Sequence, residues 1–456
     1  MVLDDESPQM PARAGLSTRS RGEAPRPRRS EEKSAAIHED ERSGMSGLME
    51  RALSRANLTA ALKRVERNKG SAGVDGMTVD EFRDFLRREW QRIREELLTG
   101  HYRPLPVKRV EIPKPDGGTR KLGVPSIVDR FLQQALLQVL QPMIDPTFSS
   151  NSYGFRPGRS AHQAILAAQR HVQDGRSIVV DVDLEKFFDR VNHDVLMGRL
   201  AKRIDDTRVL GLIRRFLEAG VMVLGVVEEG REGTSQGGPL SPLMANVLLD
   251  DVDKELEHRG HAFVRYADDL NVYVRSRAAG DRVMRLLRRL FDGLRLRINE
   301  EKSAVAEATT RTFLSFALWT HRGEVKRAVA YNAMAKMKDR VRALTRRSGG
   351  KSLADAVDEL STYLRGWRGY FRIAQTPGVF STVDAWIRHR LRALKLKQWR
   401  RGTTAHREAL RMGANPDAAA RIAGNLRCWW INARMLAHSI MPNRFFDELG
   451  LPRLGA

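Results

Sequence analysis

Residues 263–274 read FVRYADDLNVYV, two adjacent aspartates, Asp268 and Asp269, set between apolar, β-branched and aromatic runs. The pattern is that of a β-hairpin with the two acids at its tip. Aspartate is a good turn residue because its side chain hydrogen-bonds its own backbone, and a solvated turn would by itself account for the pair. The flanks argue for more. Phe263, Tyr266, Val272 and Val274 crowd both sides of the tip, and such strands read as buried rather than edge strands. Buried strands that end in carboxylates point to a bound metal ion.

Composition narrows what that ion serves. The 456-residue chain carries 79 Lys and Arg against 56 Asp and Glu, a formal net charge of +23, so a polyanion is the most economical partner. No uninterrupted apolar run approaches the roughly 18 residues of a spanning helix, and the amino end has no apolar secretory core. The chain therefore reads as soluble and intracellular, with no membrane partner. The single cysteine, Cys428, excludes an intrachain disulfide framework and a Cys-x-x-Cys zinc site, and the 11 histidines are scattered without ligand spacing. Hard cations held by carboxylates remain.

Along the chain, residues 1–47 are rich in Arg, Ser, Pro and Glu with almost no apolar periodicity, and are expected to form a disordered tail. Residues 48–320 read as a mixed α/β domain, with helical stretches such as FLQQALLQVLQPM (131–143) between short strands such as SIVVDVD (177–183). From about residue 325 the text is nearly all helical and strongly basic, so a second domain begins there, running through 401, with a basic region at 402–456 after it.

A metal pair needs a further carboxylate, and IVVDVDLEKFFDRVNH (178–193) offers it. Period two along this strand puts Asp181 and Asp183 on one face and Ile178, Val180 and Val182 on the other. Asp183 is the last strand residue, where sites open. Asp181 could equally be an outer, supporting acid, and alternation alone does not choose between the two.

YADD, preceded by DLEKFFD (183–189) with SQGGPLSPLMANVLLD (235–250) between them, resembles the reverse transcriptases, specifically the group II intron reverse transcriptase/maturase family. NKGSAGVDGMTVDEF (68–82) is similar to that family's amino-terminal extension. VEIPKPDGGTRKLGVPSIVDRFLQQAL (110–136) and SYGFRPGRSAHQAI (152–165) resemble its fingers motifs, LRINEEKSAV (296–305) its late palm motif, and LSTYLRGWRGYFR (360–372) its maturase-specific thumb. The order of the motifs matches from about residue 55 to the end. NLRCWWINARMLAHSIMPNRFFDELGLPRL (425–454) resembles the carboxyl end of members without the zinc-bound HNH endonuclease.

The resemblance implies an α+β fold of right-hand polymerase architecture, fingers and palm with an antiparallel palm sheet, followed by an all-α thumb/maturase domain. It implies an RNA-directed DNA polymerase that uses two Mg²⁺ ions, deoxynucleoside triphosphates, an RNA template and a DNA primer. It also implies binding of a group II intron RNA and of target DNA, in splicing and retrohoming, in the cytoplasm of a bacterium at its nucleoid. In the family pattern the strand ligand is the first acid of D-[IL]-x-x-x-F-D, here Asp183, with Asp268 and Asp269 as partners and the backbone of Leu184 beside them. Phe188 resembles the aromatic gate that excludes a 2′-hydroxyl; plain packing is its alternative role. Lys114 and Arg120 flank the turn PDGGT (115–119), where a mobile loop would bring cations onto nucleotide phosphates. Gln236 and Gly237 fit a turn that lets backbone approach the base pair, and Lys302 resembles the lysine that meets the leaving pyrophosphate. One departure is FLSF (313–316), where Ser315 replaces the glycine of the primer-grip turn.

Helical spacing gives the second domain its own expectation. Leu360, Leu364, Trp367 and Phe371 would face a core, while Arg365, Arg368 and Arg372 form a basic stripe on another face. WIRHRLRALKLKQWRR (386–401) repeats the design with Arg388, Arg392 and Lys395. Two such stripes can follow an RNA phosphate backbone. Two other functions share much of this reading: a non-catalytic RNA-binding splicing cofactor, against which the intact acids speak, and a reverse transcriptase recruited to host defence.

Overall fold

The computed structural model describes residues 47–113, 119–223, 226–228, 233–234 and 237–455. The expected amino-terminal tail, Lys114 and Gln236 lie outside the described residues, as does the side chain of Arg120.

Eleven strands are described: β1 Val107–Pro113, β2 Thr119–Val124, β3 Ile178–Val182, β4 Val221–Val223, β5 Val226–Glu228, β6 Ala262–Tyr266, β7 Asp269–Val274, β8 Ala304–Glu307, β9 Thr312–Phe313, β10 Phe316–His321 and β11 Glu324–Val329. They form three sheets, in the orders β2-β1-β4-β5, β6-β7-β3-β8 and β11-β10-β9. In the second, every neighbouring pair is antiparallel, the palm sheet that the motif order implied.

That palm sheet is covered on both faces, which is why its strands carry few polar residues. Val180, Val182, Phe263, Leu270 and Val272 enter the large core shared with the helices Ile127–Ile144, Ser241–His258 and Arg277–Gly293. Val179, Val264 and Tyr273 point the other way, against Ala164 and Ala168 of the helix Ala161–Gln173 and Leu318 of β10. The alternation expected of β3 is therefore present, with apolar partners on each side.

The helices Tyr331–Leu344, Leu353–Phe371 and Pro377–Trp399 build a separate core around Leu360, Leu364, Ile387 and Leu391. Residues 402–455 do not trail away from it. Ala405, Ile422, Leu436 and Phe446 are buried in the same cluster, because the short helices that carry them each place small or apolar side chains on one face. Leu48–Ala456 thus forms one compact unit.

Its helical part is fastened to the palm near one helix end. His162 Nε2 lies 2.6 Å from the Tyr370 carbonyl, the Tyr370 hydroxyl donates to the Leu314 carbonyl at 2.9 Å, and Arg327 Nε donates to the Ile373 carbonyl at 2.9 Å. The β9–β10 turn at this junction takes positive φ at both Leu314 (48°) and Ser315 (65°). The chain thus keeps the left-handed turn geometry that favours glycine while holding a serine in it. None of the described helices is long and apolar enough to cross a membrane.

Candidate active site

The pairing Val182↔Leu270 aligns the end of β3 with the start of β7, and Tyr266↔Asp269 closes the β6–β7 hairpin over Ala267 and Asp268. Asp183, one residue past β3, therefore emerges beside the Asp268-Asp269 tip. Its backbone is held on both sides. The Asp183 N–H donates to Ser303 Oγ at 3.0 Å, and its carbonyl accepts from the Asn299 N–H at 2.9 Å. The stretch LRINEEKS thus serves as a bracket for the strand acid.

The electrostatics of this tip are those of crowded carboxylates. Asp269 is pushed up to about 7, first by burial of its carboxyl and then by Asp268, Asp183 and Asp181, with Lys302 acting in the opposite sense. Asp269 still retains solvent access at the strand end, so charge crowding matters here as well as desolvation. Lys302 Nζ stands 3.4 Å from Asp183 Oδ2 and is itself well exposed. Asp181 has a different environment: Arg311 ion-pairs with it at 2.6 Å, and Asn271, oriented to satisfy its neighbours, donates to its Oδ1 at 2.9 Å. Burial raises the Asp181 carboxyl and Arg311 pulls it back. One strand acid is thus neutralised by protein, and the other faces an exposed lysine at the open tip.

Among the described residues, no three Asp, Glu, His or Cys side chains already converge to metal-binding distance. The donors at the tip are carboxylate oxygens, the hard ligands that Mg²⁺ takes, and their mutual repulsion is relieved by a divalent cation. The residues present fit such an ion in charge and chemistry.

The hairpin tip rests on a buried polar network that sequence reading missed. Arg265, mid-strand in β6, binds Asp253 of the helix Ser241–His258 through Nε (2.8 Å) and Nη2 (2.5 Å), while its Nη1 donates to Asn246 Oδ1 and to the Ala267 carbonyl, each at 2.9 Å. Asn246 in turn donates to the Gly154 carbonyl at 2.9 Å. A Cβ on Gly154 would lie 2.2 Å from the Ala267 nitrogen, so only glycine lets SYGF pass under the tip. Ala267 itself holds φ 59°, a conformation costly for a residue with a side chain and sustained by this surrounding structure. The signal was an arginine inside an otherwise apolar strand, FVRY.

The other expected residues fall as follows. Leu184 is buried and forms an isolated antiparallel bridge with Ile298. Phe188 sits in the 3₁₀ turn Phe187–Arg190, partly buried, edge-on to Phe187 with ring centres 5.1 Å apart. Its carbonyl accepts from the Thr234 N–H at 2.8 Å. Gly237 has φ 149°, and a Cβ there would lie 2.4 Å from the Gly123 carbonyl at the end of β2. This glycine is thus also required by a close approach to protein backbone at Gly123.

The second basic stripe needs correction. Arg388 and Arg392 are 2% and 4% exposed. Arg388 Nη2 binds Asp447 Oδ1 at 2.6 Å, Arg392 Nε donates to the Met441 carbonyl at 2.8 Å, and the Arg392 guanidinium stacks on Phe446. Burial brings the Arg392 guanidinium down to about 10, with Arg388 adding to the effect. These two arginines anchor the carboxyl-terminal helices and do not meet solvent; Lys395 is half-buried. In the first stripe Arg365 and Arg372 are exposed and Arg368 is partly so.

Comparison with known proteins gives two family matches. Residues 112–318 match "Reverse transcriptase (RNA-dependent DNA polymerase)", and residues 334–413 match "Group II intron, maturase-specific domain". Protein YkfC of Escherichia coli is 34% identical over 273 residues, 51% of this chain and 71% of YkfC. The group II intron-encoded protein LtrA of Lactococcus lactis is 35% identical over 195 residues, which span 42% of this chain and 32% of LtrA. A chain from a solved partial Cas6-RT-Cas1–Cas2 complex aligns at 25% identity with a TM-score of 0.36, covering 54% of this chain and 42% of that one.

Proposed function

This chain belongs to the group II intron reverse transcriptase/maturase family and carries its RNA-directed DNA polymerase domain; on that premise we propose that it copies RNA into DNA by two-metal nucleotidyl transfer at Asp183, Asp268 and Asp269. The observation that carries this reading is the register of β3 with β7, which brings Asp183 beside the Asp268-Asp269 tip and leaves Asp269 among like charges.

Asp183, Asp268 and Asp269, with the Leu184 main-chain carbonyl, would hold two Mg²⁺ ions. Bound there, the ions make the primer 3′-hydroxyl more acidic and neutralise the triphosphate. The chain's own groups do the positioning. Ser303 and Asn299 fix Asp183, and Arg265 fixes the turn that carries Asp268 and Asp269. Lys302, 3.4 Å from Asp183 and well exposed, would meet the departing pyrophosphate. Phe188 would pack beneath the incoming sugar and Gly237 would lie near the base pair, while the family resemblance assigns Lys114 and Arg120 to the nucleotide phosphates and Gln236 to the nucleotide.

RNA template, DNA primer and deoxynucleoside triphosphates are then the substrates. The maturase domain would bind the group II intron RNA to assist splicing, and target DNA during retrohoming, in a bacterial cytoplasm at the nucleoid. The exposed Arg365 and Arg372, with Arg368, would supply RNA contacts through counterion release. Primer extension on an RNA template in Mg²⁺ tests the polymerase reading. Asp183→Asn and Asp268→Asn proteins should melt like wild type and extend nothing, because an amide lacks the charge that holds the ions; full extension by folded Asp183→Asn protein would remove that residue from the site.

A further inference from the structure

The β1–β2 hairpin joins the rest of its sheet at one end. β4 pairs with β1 only at Val107 and Lys108, whereas β2 runs beside β1 from Lys108↔Val124 to Pro113↔Thr119. A cavity of about 320 Å³ lies between Arg109 and Leu122 of the hairpin and Lys186, Asp189 and Thr234 around the turn that carries Phe188. The angle of the hairpin is therefore set at its feet.

Both feet are stiff. The chain enters β1 through Pro104-Leu105-Pro106 and leaves β2 through Pro125-Ser126, and proline fixes φ and lacks an N–H. Within 104–106 the one backbone donor is Leu105, and its N–H donates to Asp129 Oδ2 at 3.1 Å. The same Oδ2 accepts from Ser126 Oγ at 2.7 Å, while Oδ1 accepts from the Tyr102 hydroxyl at 2.8 Å. One carboxyl thus ties the two feet together. Asp129 is 1% exposed, and a carboxylate so placed costs stability unless it is fully hydrogen-bonded. Burial pushes its carboxyl up to about 6, and the Ser126, Tyr102 and Leu105 donors act in the opposite sense.

The clasp is itself anchored. Arg215, in the helix Thr207–Glu218, donates to the carbonyls of Gly100 and Tyr102, the latter at 3.2 Å. The chain after that helix reaches Gly220, whose carbonyl accepts from the Val107 N–H at 3.0 Å. On the other foot a Cβ on Gly73 would lie 2.7 Å from Ser126 Cα, so the stretch NKGSAGVDG is pressed against the end of the hairpin.

Resting on the reading that Lys114 and Arg120 hold the nucleotide phosphates, we propose that Asp129 is a positioning residue for the incoming deoxynucleoside triphosphate. By clasping Tyr102, Leu105 and Ser126 it fixes the angle at which the hairpin presents its far end. From Lys108 to Pro113 the hairpin is about 17 Å long at about 3.4 Å per residue, so a rotation of about 10° at the clasp displaces that end by about 3 Å. A displacement of that size unmakes a phosphate contact. Asp129 acts through β1 and β2 and touches no substrate.

Single-nucleotide incorporation on a preformed duplex of RNA template and DNA primer, with the nucleotide varied, reads KM and kcat separately. Asp129→Ala should raise the nucleotide KM about ten-fold, the scale of one hydrogen bond to a charged group, with kcat within about two-fold of wild type. A purely structural role would lower the fraction of active protein, reducing kcat and leaving KM unchanged. Tyr102→Phe withdraws one donor and keeps the ring; it should raise KM by a smaller factor, and it decides the matter if Asp129→Ala does not fold. The Lys114→Ala/Arg120→Ala protein supplies the background. It should itself have a raised KM, and adding either clasp substitution should raise KM no further, because the hairpin then has no cation left to place. An unchanged KM in every folded clasp variant, with Lys114→Ala/Arg120→Ala still impaired, overturns the clasp and leaves the phosphate reading standing. Full additivity of the clasp and cation effects also overturns it. An unchanged KM in Lys114→Ala/Arg120→Ala overturns both.

Discussion

Arg265 Nε lies 2.8 Å from Asp253 Oδ1, and both side chains are closed to solvent. The pair is the keystone of the acidic hairpin, since the same guanidinium also holds the Ala267 carbonyl. Removing either partner leaves an uncompensated buried charge, so Arg265→Met or Asp253→Asn should cost about 3–5 kcal/mol in urea unfolding. The double variant Asp253→Leu/Arg265→Met should recover part of that stability without recovering primer extension, because the turn has lost its support. Equal extension by the double variant and wild type would show that the tip needs no bracing.

The raised Asp269 carboxyl sets a pH dependence. Its folded value, about 7, exceeds the ordinary 3.8, so the folded chain holds a proton that the unfolded chain has released. In the absence of a divalent ion this group favours folding at low pH, and its contribution is lost as pH rises through about 7. Mg²⁺ selects the carboxylate form, so it should raise the melting temperature more at about pH 8 than at about pH 6. The pH midpoint of primer extension should likewise move downward as Mg²⁺ is increased. A midpoint that ignores Mg²⁺ would separate Asp269 from ion binding.

Phe188 is packed by Phe187 on one side and partly open on the other. If its ring limits the room beneath the sugar, Phe188→Ala should raise ribonucleotide incorporation relative to deoxyribonucleotide, with little change in overall extension. An unchanged ratio would leave it a packing residue.

The two basic stripes should part company under mutation. Arg388→Ala empties a buried site and removes one partner each from Asp384 and Asp447, the latter keeping Arg453, and should lower the melting temperature before it changes RNA affinity. Replacing exposed Arg365 and Arg372, together with Arg368, by Ala should leave melting nearly intact while flattening the salt dependence of intron RNA binding by up to about 3. Normal splicing by that triple variant would remove this face from intron recognition.

The parts of this molecule that were legible in sequence are those encoded by local pattern. The β6–β7 hairpin shows itself by apolar runs around Asp268-Asp269, and β3 by alternation ending at Asp183. Alternation alone left Asp181 and Asp183 open and the family pattern assigned Asp183; the Arg311 that occupies Asp181 arrives from 130 residues away in the chain. The same distance problem misled the reading of Arg388 and Arg392. Their spacing makes a stripe on one helix face, but which face turns inward is decided by Asp447, Met441 and Phe446, in segments that the helix itself says nothing about. Gly154 and Gly237 were visible as glycines, yet the backbone each one admits, Ala267 and Gly123, becomes apparent only in the fold.

The fastening of Tyr370 to His162 and Leu314 makes the helix Leu353–Phe371 a lever with its fulcrum at the palm. Its 19 residues span about 28 Å at about 1.5 Å each, so a tilt of about 10° about Tyr370 would swing Ser352 by about 5 Å. The far end can therefore shift by several ångströms while the fulcrum, and the acids beyond it, stay where they are.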